Sequence, residues 1–394
     1  MNLKCFDWRQ LVLNKFKFID LFAGIGAFHL ALTDLGGECV FASEIDKEAI
    51  KTYEENFNMC SDNDMFKINP QDIPKHDVLC AGFPCQPFSN AGHKKGFTDT
   101  RGTLFFEIER ILKEHKTKYI ILENVKHLVK HDNGNTYKVI VEHLQDLGYV
   151  LTKEPLIISP HHLGIPQNRE RIFIIGIHKD YCNKDYLNFQ IPQNIPLQNI
   201  YDLLDEKVDE KYYLTENEKE ILKCWEEFKQ HFTTFPLPTL IDEFGETYDT
   251  SDFQEWKKQY CDKNRNFYNE NKEWLDEWIE RYHITEFSKR DKKFEWQAGK
   301  DYQSIYETLI QLRQSGIRCK KPTTFPALVA IVQTSIVAKY QRRITPREAA
   351  RLQSFPENFK LNSKDAIAYK QLGNSANVEV IKYVAKQLFN NDGN

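Results

Sequence analysis

The chain has 394 residues and a mass of 46.5 kDa, which at roughly 150 residues per domain predicts two or three domains and excludes a miniprotein held by disulfides. Hydrophobic residues make up 41% and charged residues 28%, as in a folded globular protein and unlike a disordered one. The formal net charge of -4 gives the whole molecule no field that would hold a polyanion, so a nucleic-acid site must be a local basic patch.

Short apolar runs rich in β-branched residues alternate with segments of helical period over the first half of the chain. Strands are predicted over residues 16–22, 40–44, 77–83, 118–123 and 171–177. Helices are predicted over residues 27–35, 103–113 and 136–147. Such alternation is typical of βαβ units and predicts an α/β fold with a mostly parallel sheet that is covered on both faces.

After about residue 180 this alternation is lost, and Asn, Gln, Asp, Glu and Lys dominate between scattered aromatic residues. Five of the six tryptophans lie between Trp225 and Trp296, so this part has a core of its own and is predicted to be a second domain. Near the C-terminus, residues 378–388 again have helical period. We expect this last helix to return and pack on the sheet.

The sequence shows neither a membrane span nor a secretion signal. The longest apolar runs fall far short of the roughly 18 residues that cross a bilayer, and the N-terminus mixes charged with apolar residues. We therefore expect a cytoplasmic protein. The nine cysteines include no Cys-x-x-Cys pair, which suits neither a disulfide framework nor a zinc site, so we expect reduced thiols and no metal.

A predicted strand runs into the Gly-rich turn Asp20-Leu-Phe-Ala-Gly24-Ile-Gly26 and then into a helix. Glycines at such a turn let the backbone approach a ligand. His29 replaces the third glycine of the dinucleotide fingerprint, which disfavours NAD and leaves another nucleoside open. Glu44 ends the next strand, where an acid accepts hydrogen bonds from ribose hydroxyls. Taken alone, the pair is equally consistent with a plain tight turn and a surface acid.

Cys85 stands between two prolines in Gly82-Phe-Pro84-Cys85-Gln86-Pro87, directly after the strand predicted over 77–83. Ligands of open α/β sheets bind beyond the carboxyl ends of strands, so this context favours a nucleophilic thiol over a small buried hydrophobe. Glu123 ends the strand over 118–123, where a buried carboxylate is costly unless it is paired or functional. The alternative is a glutamate held by backbone donors at a helix start.

Gln167, Arg169 and Arg171 lead into the strand over 171–177. In an extended chain, side chains at i, i+2 and i+4 point to the same side. The three residues therefore predict a row of donors that faces a ligand. The alternative is a solvated strand edge, where charged rows usually lie.

Taken together and in this order, these segments resemble the C5-cytosine DNA methyltransferases. The resemblance rests on residues 18–28, Glu44, Asp72, and residues 83–88, 123–125, 167–171, 343–355 and 371–380. It implies a Rossmann-like, S-adenosylmethionine-dependent methyltransferase domain over residues 1–184 and 365–394. Residues 185–322 match no common motif of the family, and the smaller target recognition domain would occupy residues 185–364.

The resemblance implies transfer of a methyl group to C5 of cytosine. Cys85, framed by Pro84, would add as a thiolate to C6 and make the ring enamine-like. Glu123 would hold N3 and N4 of the base and supply a proton to N3, which needs a carboxyl whose pKa is raised by burial. Three further residues would contact or arrange the base and its loop: Arg171 at O2 of cytosine, with Arg169 and Gln167 behind it.

The implied cofactor is S-adenosylmethionine, which leaves as S-adenosylhomocysteine. The residues expected around it are Phe22, Gly24, Gly26, Glu44, Ile45, Asp72, Asn374 and Ser375. Glu44 would bind the ribose, Asp72 the adenine amine, and Phe22 the face of the ring. Ile45 stands where many relatives have an aromatic residue, so the second stacking face would be aliphatic.

The resemblance also implies double-stranded DNA as partner, because a thiol reaches C6 only when the cytosine is flipped out of the stacked duplex. Residues 86–101 would form a lid on the DNA, with contacts from Gln86, Ser89, Lys94 and Lys95; an ordinary surface loop is the alternative. We expect a monomer of a bacterial restriction-modification system, associated with the nucleoid through DNA. Whether a restriction endonuclease acts beside it is left open.

Two other functions compete with this one. A tRNA cytosine methyltransferase built on the same domain is disfavoured by the long insert, which suits double-stranded readout. A DNA-binding regulator that had lost catalysis would be expected to carry damaged motifs, whereas Cys85, Glu123 and Arg171 are all present.

Charge divides the expected target recognition domain into two stretches. Residues 201–280 contain about 22 acids against 10 bases, and residues 281–321 about 10 bases against 5 acids. We expect the acidic stretch to be a helical insert that faces away from the duplex, and the basic stretch to meet phosphates and base edges. The expected contacts are Lys289, Arg290, Lys292 and Lys293 for positioning, and Arg313, Arg318, Lys320 and Lys321 for base readout. The alternative is that all eight are solvated surface charges.

Overall fold

The computed structural model describes residues 15–83, 104–245, 251–329 and 334–391. These residues form two compact units. Apart from the gaps, unit 1 takes residues 15–198, 327–329 and 349–391, and unit 2 takes residues 199–326 and 334–348. Unit 1 is therefore assembled from stretches that are far apart in the sequence.

Unit 1 contains a sheet that has seven strands within the described ranges. The strands of this part of the chain are β1 Phe16–Leu21, β2 Gly37–Ser43, β3 Val78–Gly82, β4 Tyr119–Val125, β5 Tyr149–Leu151, β6 Leu156–Ile158, β7 Gln167–Asn168 and β8 Arg171–His178. Their order is β2-β1-β3-β4-β8-β5, with β6 also paired to β8 and β7 outside this sheet. Strands β1 to β4 are parallel, and β8 is antiparallel to β4, β5 and β6. Six of these seven strands point the same way, which confirms the predicted mostly parallel sheet.

The apolar runs that predicted these strands are buried. The last four residues of β1, the first four of β3 and the last seven of β8 are all buried. Near-continuous burial is what a sheet covered on both faces requires. The reversed direction of β8 follows from the chain before it, because only a short 3-10 helix, Pro160–Leu163, and no α-helix lies between β6 and β8, and a parallel connection usually needs a crossover α-helix.

The helices of unit 1 are drawn from both ends of the chain. They are α1 Ala27–Thr33, α2 Lys47–Phe57, α3 Leu104–His115, α4 Asn135–Asp146, α9 Asp365–Asn374 and α10 Val378–Asn390. The ring of Phe389 on α10 lies 5.1 Å from that of Phe16 on β1 and 4.9 Å from that of Tyr119 on β4, centroid to centroid. The last helix therefore packs on the sheet, as the periodicity of residues 378–388 predicts.

Unit 2 combines three helices with a small sheet. The helices are α5 Glu216–His231, α6 Glu255–Glu270 and α7 Lys272–Arg281, and α8 Pro346–Leu352 spans the residues where the chain returns to unit 1. The strands are β9 Thr239–Leu240, β10 Lys293–Gln297, β11 Leu309–Arg313, β12 Gly316–Lys320, β13 Phe325–Pro326, β14 Ile336–Val337 and β15 Arg342–Arg343. The sheet order is β15-β14-β11-β12-β10-β9, with only the β10–β12 pair parallel among these described strands.

The core of unit 2 is aromatic. Trp225 and Trp278 are fully buried, and the Trp225 ring stacks on Phe294 with centroids 4.7 Å apart. The tryptophans thus form a separate core, as their clustering in the sequence predicts. None of the helices in the described parts of the chain is long and apolar enough to cross a membrane.

Candidate functional site

The carboxyl ends of β1, β3 and β4 lie side by side in unit 1. In the parallel register Leu21 pairs with Ala81, and Gly82 pairs with Glu123. The turn after β1, the chain after β3 and the end of β4 therefore leave the sheet at one edge. This is the edge at which α/β sheets bind their ligands.

The Gly-rich turn between β1 and α1 is held by the side chain of Glu44. The Gly24 N–H donates to Oε2 of Glu44 at 2.8 Å, and the N–H groups of Ile45 and Asp46 donate to Oε1 at 2.7 and 2.9 Å. A carboxylate has about four acceptor positions, so these three bonds leave one for a ligand hydroxyl. Glu44 is thus tied to the turn and does not lie free on the surface.

Gly24 and Gly26 both have a left-handed backbone, with φ of +56° and +87°. Their surroundings differ. An ideal Cβ on Gly24 would have no described residue within 4 Å, whereas one on Gly26 would lie 2.2 Å from Cε2 of Phe57 on α2. Gly24 therefore borders open space, and Gly26 permits the close packing of the turn against α2.

The remaining residues expected at the cofactor differ in how exposed they are. Phe22 is partly buried, and its N–H donates to Oγ of Ser43 at 3.2 Å. Ile45 is 72% exposed, and its role as an aliphatic stacking face stays a prediction. Asp72 is exposed at the end of a 3-10 turn. The open space at Gly24, the free acceptor position of Glu44 and the exposed Ile45 fit a nucleoside cofactor such as S-adenosylmethionine.

Glu123 is buried, with 8% of its surface exposed, and pairs with Arg171. Its Oε1 lies 3.0 Å from Nε of Arg171. Burial raises the pKa of Glu123, while the positive charges of Arg171 and Arg169 act against this rise. A carboxyl that keeps its proton more strongly than a free one is suited to donate that proton. Its partner here is a guanidinium and not a set of backbone donors at a helix start.

The segment that contains the predicted nucleophile lies outside the described residues. This holds for Pro84, Cys85, Gln86, Ser89, Lys94 and Lys95. The preceding chain ends at Phe83, whose carbonyl accepts a 2.7 Å hydrogen bond from Nδ2 of the buried Asn124. The residue after Glu123 is therefore bonded to the residue two positions before Cys85.

Arg169 is buried, and backbone carbonyls occupy its guanidinium. Nη1 donates to Leu328 at 2.8 Å, and Nη2 donates to Gly373 and Ser375, both at 2.7 Å. Burial, together with the positive charge of the neighbouring Arg171, lowers the pKa of Arg169 to about 9. The expected row of donors facing a ligand is wrong for Arg169, because these carbonyls take up its Nη1 and Nη2 groups.

Gln167 is completely buried, and within the described ranges neither polar atom of its side chain has a hydrogen-bond partner. It follows the alternation that the sequence predicts, since Gln167 and Arg169 are buried and Asn168 between them is exposed.

Helix α9 brings Asn374 and Ser375 to the neighbourhood of α2. Nε2 of Gln371 donates to the carbonyl of Glu48 at 2.9 Å and lies 3.0 Å from Oγ1 of Thr52. Because α2 directly follows Glu44 and Ile45, the C-terminal motif is fixed close to these two residues. Asn374 is exposed there and Ser375 is partly buried.

Most of the basic residues expected to bind DNA have acidic neighbours in unit 2. The pairs are Arg290 with Asp291 at 2.6 Å, Lys292 with Asp242 at 3.4 Å, Lys293 with Glu295 at 3.7 Å, Arg318 with Glu295 at 2.7 Å, and Lys321 with Asp301 at 3.7 Å. Lys289, Arg313 and Lys320 have no ion pair with the residues that the structure describes. Their contact with DNA stays a prediction.

Three residues at this end of unit 1 were not singled out from the sequence: Asp20, Asn124 and Gln371. Asp20 is completely buried in β1, its Oδ2 has no partner in the described part of the chain, and burial raises its pKa. A polar residue inside an apolar strand, visible in the sequence, was the available signal. In the described ranges, no group of three or more His, Cys, Asp or Glu side chains could hold a metal ion.

Comparisons with known proteins add the following. A family model described as C-5 cytosine-specific DNA methylase matches residues 16–390. The chain is 37% identical over 378 residues to the type II methyltransferase M1.ScrFI of Lactococcus lactis subsp. cremoris, covering 95% of this chain and 78% of that protein. It is 37% identical over 388 residues to the type II methyltransferase M.HpaII of Haemophilus parainfluenzae, covering 97% and 91%. The crystal structure of the S. pombe Dnmt2 methyltransferase, 19% identical, matches 95% of this chain and 98% of its own with a TM-score of 0.55, so the fold is shared.

Proposed function

The chain belongs to the C-5 cytosine-specific DNA methylase family, and we propose that it flips a cytosine out of double-stranded DNA and methylates C5 through a covalent bond between Cys85 and C6. As a member of this family it is a DNA (cytosine-5-)-methyltransferase. Its own residues carry the activation of the base.

C5 of cytosine is a poor nucleophile until C6 is attacked. The Cys85 thiolate adds to C6 while Glu123 gives a proton to N3, and the ring then has the electron distribution of an enamine. S-adenosylmethionine, when bound, supplies the methyl group that C5 takes up and leaves as S-adenosylhomocysteine. Afterwards water takes up the C5 proton, the C6–S bond breaks to release the Cys85 thiolate, and N3 returns its proton to Glu123, which restores the aromatic ring and the free enzyme.

The observation that carries this proposal is the pairing of the buried Glu123 with the partly buried Arg171. The carboxyl has a raised pKa, lies at the sheet edge where ligands bind, and belongs to the strand whose next residue, Asn124, holds Phe83. Arg171 lies 3.0 Å from the same carboxyl, so both side chains would face one bound base, with Arg171 at O2. The bound base would then have a proton donor and a guanidinium group beside it.

The cofactor would be held by residues from both ends of unit 1. Glu44, with its remaining acceptor position, would bind the ribose, and Gly24 would border the amino acid part. Phe22, Ile45, Asp72, Asn374 and Ser375 would complete the pocket. Arg169 supports this pocket indirectly, because it holds the carbonyls of Gly373 and Ser375.

Covalent trapping tests the proposal. Duplex DNA of random sequence in which 5-fluorocytosine replaces cytosine is incubated with the protein and S-adenosylmethionine. Fluorine cannot leave C5 as a proton does, so the wild-type protein should give a protein–DNA band that resists denaturant. The exposed Cys60 offers a matched control: Cys60→Ser should keep the band and Cys85→Ser should lose it. A band of equal strength with Cys85→Ser would refute the nucleophile assignment.

The relatives above are named type II methyltransferases, which supports our proposal that the enzyme acts on a short specific site of a restriction-modification system. Its substrate would then be the DNA of the bacterial nucleoid, and a restriction endonuclease would act separately on the same site. Expression in a host without DNA methylation, followed by sequencing of 5-methylcytosine, maps that site. Transfer RNA from the same cells is analysed in parallel, and 5-methylcytosine found there but not in DNA would contradict the proposal.

A further inference from the structure

Three neighbouring strands of unit 2 carry their polar side chains on one face. Alternate residues of β10, β11 and β12 belong to the aromatic core, among them Phe294, Ile310 and Ile317. Because side chains alternate along a strand, the residues between them lie on the opposite face. These are Lys293 and Glu295 on β10, Gln311 and Arg313 on β11, and Arg318 and Lys320 on β12, which together are called the polar face below.

Arg318 lies at the centre of the polar face. In the strand register it is flanked by Glu295 on one side and Gln311 on the other. Nε and Nη2 of Arg318 lie 2.8 and 2.7 Å from the same atom, Oε2 of Glu295. Glu295 thus occupies the Nε side of the guanidinium. The end formed by Nη1 and Nη2 stays available for a second, two-point interaction.

The rest of the polar face carries more positive charge than it can neutralise. Within the described ranges, Glu295 is the only acidic residue on these three strands, and Lys293 lies near it as well, at 3.7 Å. Arg313 and Lys320 have no ion pair with described residues. Partial burial and the repulsion of nearby cations lower the pKa of both side chains. Crowded cations of this kind are stabilised by a ligand that brings acceptor atoms or negative charge.

Gln311 is the second unusual group. It is only 6% exposed, and its Oε1 has no hydrogen-bond donor in the part of the chain that the structure describes. A buried amide oxygen without a partner is costly, since such groups are nearly always paired. The row Glu295, Arg318 and Gln311 therefore presents a guanidinium end that the described residues leave unused, beside a buried acceptor that is closed off from solvent.

A solvated face of salt bridges is the ordinary explanation for charged strands. It accounts for Arg318 and Glu295 as a pair, but it leaves the buried Gln311 oxygen and the two unpaired cations unexplained. A guanine in duplex DNA accounts for the free guanidinium end and the two cations, because its O6 and N7 are two acceptors spaced for an arginine end and the phosphates beside it bring negative charge.

We propose that the polar face reads a G·C pair in the DNA site, with Arg318 as the reader of guanine O6 and N7 and Glu295 as the residue that positions it. This inference rests on the proposed function, since it names the part of the DNA substrate that sets the sequence preference. Arg313 and Lys320 would bind the flanking phosphates.

The test begins with the site mapped for the wild-type enzyme in cells. Purified enzyme is then assayed on duplexes of that site in which each guanine in turn is replaced by 7-deazaguanine, which lacks the N7 acceptor. One such replacement should lower kcat/KM of the wild-type enzyme about 10-fold or more. The same replacement should not lower kcat/KM of the Arg318→Ala variant any further, because this variant has already lost the interaction with N7. Arg318→Lys, which keeps a cation but not the two-point geometry, carries the test if Arg318→Ala does not fold.

Glu295→Gln gives a result that a merely structural role would not produce. Loss of the negative charge should strengthen binding to DNA of unrelated sequence and change the salt dependence of that binding only slightly. The preference for the cognate site should fall about 10-fold or more. Arg281→Ala on α7 is the matched control, since it also removes an arginine paired with a glutamate, Glu227, but not on the polar face. This control should keep the cognate preference.

The outcomes separate the two levels of the argument. If the wild-type enzyme left no 5-methylcytosine in DNA, the proposed function would fail and this inference with it. If it methylated a defined site and Arg318→Ala or its lysine substitute kept the same sensitivity to every 7-deazaguanine, only the assignment of the polar face would be refuted. A Glu295→Gln enzyme with unchanged site preference would refute the positioning role.

Discussion

Alanine substitutions at Gly24 and Gly26 should separate cofactor binding from stability. Both residues have a left-handed backbone, which costs a residue with a Cβ about 1–2 kcal/mol. At Gly26 the new methyl group would also lie 2.2 Å from the Phe57 ring, which is stacked on His29, so overpacking adds about 1–3 kcal/mol. At Gly24 none of the residues that the structure describes lies within 4 Å of such a methyl group, so in the free protein only the backbone strain lowers the stability.

These magnitudes convert into measurable shifts. For a unit of about 250 residues, each kcal/mol lowers the melting temperature by about 2–4 °C. Gly26→Ala should therefore melt about 4–20 °C lower, with S-adenosylhomocysteine affinity within about threefold of wild type when measured well below the melting temperature. Gly24→Ala should melt only about 2–8 °C lower but bind S-adenosylhomocysteine at least about 10-fold more weakly, because its methyl group enters the space left for the ligand.

Scanning calorimetry and titration calorimetry on the two variants check this together. Unchanged affinity in Gly24→Ala would show that the cofactor does not use the space beside this glycine. A melting temperature of Gly26→Ala equal to that of Gly24→Ala would show that Phe57 moves aside without cost, and the packing argument would have to be given up.

Three further predictions follow from the site. Glu123→Gln should keep cofactor affinity and lose turnover by about 10²- to 10⁴-fold, since the amide has no acidic proton to give. Because burial raises the pKa of Glu123, wild-type turnover should fall as the pH rises through that pKa. The variant should not show this fall. Wild-type turnover in the variant, measured with saturating cofactor, would reject the general-acid role. Removal of residues 371–394 should abolish S-adenosylhomocysteine binding, because it removes α10, which covers the sheet, and Ser375, which Arg169 holds near the proposed pocket. Calorimetry that found normal affinity in the shortened protein would contradict this. Replacing both Lys292 and Lys293 by Ala should weaken binding to every DNA sequence and reduce the slope of log affinity against log salt by up to about 1.8, whereas equal slopes for variant and wild type would exclude both from phosphate contact.

Much of unit 1 could be predicted from the sequence because its strands are local and buried on both faces. Runs such as residues 16–22 and 171–177 have few polar interruptions, so their periodicity alone indicates a strand. The direction of β8 was not available in the same way. It depends on the chain between β6 and β8 forming no crossover helix, and the apolar pattern of a strand is the same in either direction.

The partners of buried polar groups were the part that the sequence could not provide. Glu123 was expected to be buried, but its pairing with Arg171 joins residues on different strands, and the bonds from Arg169 reach Gly373 and Ser375 about 200 positions away. Such contacts have no local pattern, because they are chosen by the geometry of the folded sheet. Glu295 and Gln311 were missed for a related reason. A search by net charge selects lysine and arginine, whereas Glu295 and Gln311 matter because they flank Arg318 in the folded sheet.

The discontinuous composition of unit 1 also sets the order of events during synthesis. About 150 residues lie between residue 198 and residue 349, and at 5–20 residues per second the ribosome needs about 8–30 s to make them. Throughout that time the faces of Phe16 and Tyr119 that α10 later contacts have no cover from Phe389. A chain released early would display this apolar surface of β1 and β4 to chaperones and proteases. Its concentration in the cell would then be limited by degradation before any question of activity arose.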